Sequence, residues 1–126
     1  MNFPEKLKYT REHEWLRIEG KEAVIGITAY AQKELGDIVY VELDVEGEEL
    51  SAGDRFGTIE AVKTSTDLFM PVSATILEIN TALESSPELI NKDPYGDGWM
   101  VKVELTDLAE LDSLISAKVY EEIVKE

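Results

Sequence analysis

Lys63 is the residue of this chain best placed to carry a covalent group. It stands between two apolar, strand-like runs, residues 55–62 and 67–72, and is followed by Thr64, Ser65 and Thr66. These three residues are small and polar, so they are compatible with a turn. A hairpin at this point places the Lys63 amine in solvent at one end of the domain. From position alone, a solubilising surface lysine is the better interpretation, because most lysines lie at the surface.

Other side chains that could do chemistry form no convincing catalytic group. His13 is the single histidine, and no Ser–His–Asp arrangement accompanies it. The acidic runs 46–49 and 121–122 lack the ligand pattern of a calcium loop, and we interpret them as solvated. The absence of cysteine excludes disulfides, thiolate metal sites and cysteine nucleophiles. These observations predict a protein without a catalytic site or a metal site.

Length and charge narrow the class of protein further. The 126 residues predict one domain, residues 1–126, and the net charge is −15, from 27 acidic and 12 basic residues. Phosphate binding needs clustered Lys and Arg, so nucleic acid and anionic membranes are not expected as partners. Residues 1–10 lack the apolar stretch of a signal peptide, and no run is long enough to span a membrane. The sequence therefore predicts a cytoplasmic protein.

The elements expected to position Lys63 are mostly short strands separated by turns. Thr28 is expected to cap a short helix over residues 29–35, which Gly36 would end. In residues 38–43 the alternation places Val39, Val41 and Leu43 on one face of a strand. Two strands, at 15–19 and 22–27, are expected to form a hairpin around Gly20-Lys21. Further strands are expected at 75–79 and 99–105.

The end of the chain changes to a helical pattern. Leucines and isoleucine recur at helical spacing after residue 106, with Asp107 and Glu110 as a capping box, and a second helix is expected over 117–124. The polar segment 80–98 holds one helical turn after Pro87. Many short strands with few helices predict a mainly β fold, either a barrel or a two-sheet sandwich.

Motifs along nearly the whole chain resemble the glycine cleavage system H-protein family. The residues that carry the resemblance, spread over about 7–120, are Glu60-Ala61-Val62-Lys63 with Asp67 and Pro71-Val72-Ser73, Glu12-His13-Glu14-Trp15, Gly26-Ile27-Thr28, Gly36-Asp37-Ile38-Val39, Ser86-Pro87-Glu88-Leu89-Ile90-Asn91 and Asp93-Pro94-Tyr95-Gly96. The methionines that flank the lysine of biotin carriers are absent. Each motif is weak alone, but together they are specific.

The resemblance implies a fold, a cofactor and partners. The fold is the flattened barrel-sandwich hybrid of biotinyl and lipoyl carriers, and the cofactor is lipoate in amide linkage to Lys63. A lipoate ligase or a lipoyl or octanoyl transferase would attach it, because a lysine amine is mostly protonated at neutral pH. The carrier, expected to be a monomer, would take an aminomethyl group from a pyridoxal-phosphate glycine decarboxylase to a tetrahydrofolate-dependent aminomethyltransferase. A flavin dihydrolipoyl dehydrogenase would then reoxidise it.

The resemblance also implies roles for Glu14 and Asp67 as contacts of the aminomethyl-bearing arm. The amine end of that cargo is a cation that hydrolyses readily, so carboxylates in a cleft are suitable partners. Asp67 has a simpler interpretation as the residue that ends the turn after Lys63.

Two other functions remain open at this point. The protein could relay lipoate to other lipoyl domains, or serve as a related carrier outside glycine catabolism. A small acidic hydrolase or metal-binding protein using His13, Glu14 and Asp67 is a third hypothesis, with only three dispersed residues to support it.

Overall fold

The computed structural model describes residues 3–125. Within this range the strands are β1 (Lys8–Tyr9), β2 (Glu14–Glu19), β3 (Glu22–Ile27), β4 (Ile38–Glu42), β5 (Glu49–Leu50), β6 (Arg55–Ala61), β7 (Ser65–Phe69), β8 (Ala74–Ile79) and β9 (Val101–Leu105). The helices are α1 (Ala29–Leu35), α2 (Ala82–Ser85), α3 (Leu89–Lys92) and α4 (Ala117–Val124), with a 3-10 helix at Leu108–Ser113.

The strands form two antiparallel sheets. One has six strands in the order β1-β2-β3-β9-β8-β5, and the other has three in the order β4-β6-β7. Alternate residues of β2 and β3 belong to two different apolar clusters, because successive side chains of a strand point to opposite faces. Leu16, Ala23 and Ile25 belong to the main core, whereas Trp15 and Val24 belong to a second cluster with the N-terminal segment and α4. The predicted mainly β fold is confirmed, and its strands lie in two sheets.

Helix α1 begins and ends as the sequence predicts. The Thr28 side chain accepts a hydrogen bond from the backbone N–H of Ala31, which satisfies one donor of the first turn. Gly36 adopts a φ of 83°, a conformation that glycine tolerates without steric cost, and its N–H donates to the carbonyl of Gln32.

Strand β4 departs from the predicted alternation. Val41 and Leu43 share a buried face, but Val39 is 54% exposed, so its assignment to the same face is wrong. The reason is an irregularity in the pairing with β6, where Ile38 aligns with Ala61 and Tyr40 with Glu60. The extra residue leaves Ile38 buried and puts Val39 out of step with the residues that follow.

The segment before α4 forms a 3-10 helix rather than the α-helix that the leucine spacing suggested. Asp107 caps it by accepting from the Ala109 N–H, but Glu110 does not complete a capping box. The Glu110 carboxylate instead accepts hydrogen bonds from the backbone N–H and hydroxyl of Ser73, at 2.6 and 2.9 Å. A tertiary contact thus replaces the expected local one.

The remaining helices are short, and α4 covers the predicted range. Segment 80–98 holds two short helices, α2 and α3, where one turn was expected, and β1 and β5 were not predicted. Among residues 3–125, no helix has the length and apolar character needed to cross a membrane.

Candidate functional site

Lys63 lies in the turn that joins β6 to β7, and its side chain is exposed. The turn is tighter than expected, since β7 begins at Ser65. The Ala61 N–H donates to the carbonyl of Thr64 at 2.7 Å, and the Val62 N–H donates to the carbonyl of Asp37 at 3.0 Å. These bonds fix the backbone on both sides of an exposed side chain.

The Lys63 side chain reaches the end of helix α1. A Cβ added at Gly36 would lie 3.5 Å from the Lys63 Cε and 3.9 Å from its Nζ. These are van der Waals distances, so the lysine stem packs against the end of the helix. Residues of helix α1 also line a cleft, so the Lys63 amine lies beside this cleft rather than inside it.

The cleft has a volume of about 1000 Å³. Its lining combines the loop before β2, one face of α1 and strand β7, and it includes both Glu14 and Asp67. The structure thus brings together two carboxylates that are far apart in sequence. Apolar side chains, among them Ile27, Leu35 and Leu68, form much of the remaining surface. Such a lining suits an aliphatic arm with a polar end.

Glu14 is the first residue of β2, and it is only 5% exposed. Thr10 holds it from two directions. The Thr10 hydroxyl donates to the Glu14 Oε1 at 3.0 Å, and the Glu14 N–H donates to the same hydroxyl oxygen at 3.2 Å. No motif in the sequence marked Thr10, although a threonine four residues before an acid is a familiar local hydrogen-bonding arrangement.

Burial gives Glu14 unusual acid–base behaviour. Desolvation raises the pKa of its carboxyl to about 8, and the negative charge of Glu12 adds to the rise while the Thr10 hydrogen bond opposes it. The carboxyl is therefore mostly neutral at pH 7. A primary ammonium that entered the cleft would favour the ionised form, because an opposite charge nearby stabilises it.

Asp67 lies within strand β7, so its interpretation as a turn residue is wrong. Its register partner across the hairpin is Thr58, whose hydroxyl donates to the Asp67 Oδ1 at 3.0 Å. Arg55 donates to the same oxygen through Nε at 3.3 Å, and its Nη2 contacts Glu42 Oε1 at 3.2 Å. The Asp67 side chain is 52% exposed, so this network lies at the surface.

His13 also lines the cleft, in a strained backbone conformation. Among residues 3–125 it is the one non-glycine residue with a positive φ, 72°. Its Nδ1 is 2.8 Å from the Tyr120 hydroxyl, and burial lowers the pKa of its imidazole. In the part of the chain that the structure describes, no group of three or more His, Cys, Asp or Glu side chains could hold a metal ion.

Comparisons with known proteins agree with this geometry. A family model described as Glycine cleavage H-protein matches residues 7–126. The chain belongs to the glycine cleavage H-protein family. Its function is accordingly that of a lipoyl-carrying shuttle of the glycine cleavage system.

Individual members of the glycine cleavage H-protein family match over almost their whole length. The chain is 56% identical to the glycine cleavage system H protein of Bacteroides fragilis over 124 residues, 98% of each chain. It is 54% identical to that of Symbiobacterium thermophilum over 125 residues, 99% of this chain and 98% of the relative. The crystal structure of the H protein from Mycobacterium marinum has a TM-score of 0.86 at 40% identity, covering 95% of this chain and 97% of that one.

Proposed function

We propose that Lys63 is the lipoate attachment site and that the cleft shelters the aminomethyl cargo, with Glu14 as its main partner and Asp67 as a second. The observation that carries this proposal is the placement of an exposed lysine amine against the end of α1, the helix that also lines the cleft holding the buried Glu14. The proposed attachment site and the proposed shelter thus lie side by side, and helix α1 borders both.

The side chains present fit this group. Lys63 has an accessible amine on a turn with a fixed backbone, and the cleft offers apolar surface for an aliphatic chain. When attached, lipoate supplies the sulfur chemistry that accepts the one-carbon cargo. The protein supplies attachment, reach and protection from water.

Glu14 distinguishes a loaded arm from an empty one. With no cation in the cleft, the buried carboxyl is mostly neutral at pH 7 and offers little attraction. The ammonium of the cargo would shift it to the carboxylate and form a charge-assisted hydrogen bond out of contact with bulk water. An uncharged arm lacks this partner and remains free to leave. The cleft would therefore retain the cargo mainly while it needs protection.

The partners proposed for the shuttle follow from this cycle. The pyridoxal-phosphate decarboxylase loads it, the tetrahydrofolate-dependent aminomethyltransferase unloads it, and the flavin dihydrolipoyl dehydrogenase reoxidises it. A lipoate ligase or a lipoyl or octanoyl transferase modifies Lys63. The carrier acts as a single-domain cytoplasmic monomer without a catalytic site of its own. The two apolar clusters support the single domain, because strand β2 contributes to both.

The test of the attachment site is intact-mass analysis after co-expression with a lipoate ligase. Wild type should gain one lipoyl increment, and Lys63→Arg should gain none. Lys33→Arg, at an exposed position of α1, is the matched control and should be modified like wild type. A lipoyl increment that persists in Lys63→Arg would contradict the assignment.

A further inference from the structure

The hydroxyl of Tyr120 lies where two walls of the cleft meet. Tyr120 is fully buried on helix α4, far along the chain from the cleft residues. Its hydroxyl is 2.8 Å from the His13 Nδ1 and 2.7 Å from the Thr28 Oγ1. His13 lies in the loop that leads to Glu14, whereas Thr28 caps helix α1. One hydroxyl group therefore contacts both of these segments.

These contacts form a closed ring of hydrogen bonds. Besides their shared bonds to Tyr120, the Thr28 N–H donates to the His13 carbonyl at 3.0 Å. The Thr28 Oγ1 also accepts from the Ala31 N–H at 3.1 Å, which begins the helix. Burial raises the pKa of Tyr120 to about 12, so its hydroxyl keeps its proton and can donate. Removing that hydroxyl would open the ring at a single point.

The ring of hydrogen bonds holds His13 in a strained backbone conformation. A histidine with a φ of 72° occupies a sparsely populated region, and such conformations persist only where surrounding contacts hold them. The imidazole is held by the Tyr120 hydroxyl and by packing on Tyr30, with ring centroids 4.9 Å apart. Because Glu14 follows His13 directly, the conformation of His13 determines where the Glu14 side chain starts.

The Tyr120 ring is fixed independently of its hydroxyl. It stacks on Tyr9 with ring centroids 4.9 Å apart and an interplanar angle of 8°, and it meets Phe3 edge-on at 4.9 Å. The neighbouring Tyr9 hydroxyl donates to the Pro4 carbonyl at 2.7 Å and contacts no residue of the ring of hydrogen bonds. Of the two stacked tyrosines, Tyr120 bonds through its hydroxyl to His13 and Thr28, whereas Tyr9 bonds through its hydroxyl to Pro4.

We propose that Tyr120 is a positioning residue for the cleft. Its hydroxyl holds the loop before β2 against helix α1 and so keeps the buried Glu14 carboxyl in place for the cargo. The effect on the cargo rests on the proposed function of Glu14. The hydrogen bonds by which Tyr120 connects the loop to the helix do not depend on it.

The connection of the loop to helix α1 through the Tyr120 hydroxyl is tested in the unlipoylated protein by comparing Tyr120→Phe with Tyr9→Phe. Both changes remove one hydroxyl from the same aromatic cluster and keep the ring. Amide hydrogen exchange, followed by NMR, should become at least about fivefold faster at Thr28 and Ala31 in Tyr120→Phe, because both hydrogen bonds of the Tyr120 hydroxyl are lost. In Tyr9→Phe the exchange of these two amides should equal wild type. Equal exchange in all three proteins, or equal acceleration in both variants, would overturn the proposal.

The consequence for the cargo is tested in the lipoylated protein. After loading by the decarboxylase and removal of that enzyme, hydrolysis of the cargo should be about threefold faster in Tyr120→Phe and unchanged in Tyr9→Phe. Faster amide exchange with unchanged hydrolysis would overturn the positioning role. Failure of Lys63 to accept lipoate would instead contradict the proposed attachment site, and the amide-exchange result would be unaffected.

Discussion

Glu14 and Asp67 line the same cleft but lie in contrasting surroundings. Glu14 is 5% exposed and has a hydroxyl partner, no cation among residues 3–125 is bonded to it, and the pKa of its carboxyl is raised to about 8. The side chain of Asp67 is 52% exposed and is bonded to Arg55 and Thr58. The difference teaches that carboxylates in one cleft need not be equivalent. Glu14 has a charge state that a cationic cargo can change, whereas Asp67 already has a cationic neighbour.

The largest expected effect on the cargo follows from Glu14→Gln. Glutamine keeps the size and the hydrogen-bonding capacity of the side chain but cannot ionise. Loss of one charge-assisted bond in a buried site should make hydrolysis of the cargo roughly tenfold faster. Release of the cargo by the isolated, loaded protein measures this rate. Glu34→Gln, at an exposed acid of the same cleft, is the control and should change the rate little. Equal rates of cargo hydrolysis in Glu14→Gln and Glu34→Gln would show that burial does not make Glu14 the main partner of the cargo.

The second prediction concerns stability against pH in the protein without cargo. The pKa of Glu14 is about 8 in the folded state, against a reference value of 4.5. Between these values the native state binds more protons than the unfolded state, so the free energy of unfolding falls as pH rises. The loss should be roughly 1–3 kcal/mol. Urea unfolding at pH 5 and pH 8.5 measures it.

Glu14→Gln should remove this part of the pH dependence and leave a more stable protein at pH 8.5. Glu34→Gln should retain the decline seen in wild type. Parallel curves for wild type and Glu14→Gln would show that the buried carboxyl is not the group that titrates.

A smaller effect is expected from Asp67→Asn. Because the Asp67 side chain is half exposed and shared with Arg55, its attraction for a second cation is screened. Hydrolysis of the cargo should increase about twofold. The increase should shrink as salt is raised, since exposed charges are screened by ions, whereas the effect of Glu14→Gln should persist. An Asp67→Asn effect as large and as salt-independent as that of Glu14→Gln would contradict the comparison.

The smallest effect has the opposite sign. Arg55→Gln removes the cation bonded to Asp67, so more of the carboxylate would be available to the cargo. Hydrolysis should slow by less than about twofold. Arg17→Gln is the control, because Arg17 pairs with Glu19 instead. Faster hydrolysis in Arg55→Gln would show that Arg55 supports Asp67 rather than competing with the cargo.

Much of the scaffold around the site follows from local patterns. The β2–β3 hairpin, helix α1 with its Thr28 cap and Gly36 end, and the exposed turn that carries Lys63 all occur where the sequence predicts them. Each depends on residues close together in the chain. Val39 and the 3-10 helix were mispredicted because a strand irregularity and the Glu110–Ser73 contact decided them.

The partners of the site residues were less accessible to sequence reasoning. Thr10 lies close enough to Glu14 for a local motif to have marked it. Arg55 and Thr58 meet Asp67 only through the register of the β6–β7 hairpin, which depends on where the turn falls. A turn predicted at its observed length would have paired Thr58 with Asp67. Tyr120, 107 positions from His13, carries no local signal at all.

Local patterns along the chain were enough to predict most of the strands and helices and to place the lysine at the end of a hairpin. Motifs along most of its length were enough to indicate the family. Only the tertiary structure decided that Glu14 is buried beside a hydroxyl, that Asp67 shares Arg55, and that Tyr120 joins the two walls of the cleft. The physical reason is that strand alternation and helix capping depend on neighbours in the chain. Desolvation and ion pairing depend instead on which distant residues fold together.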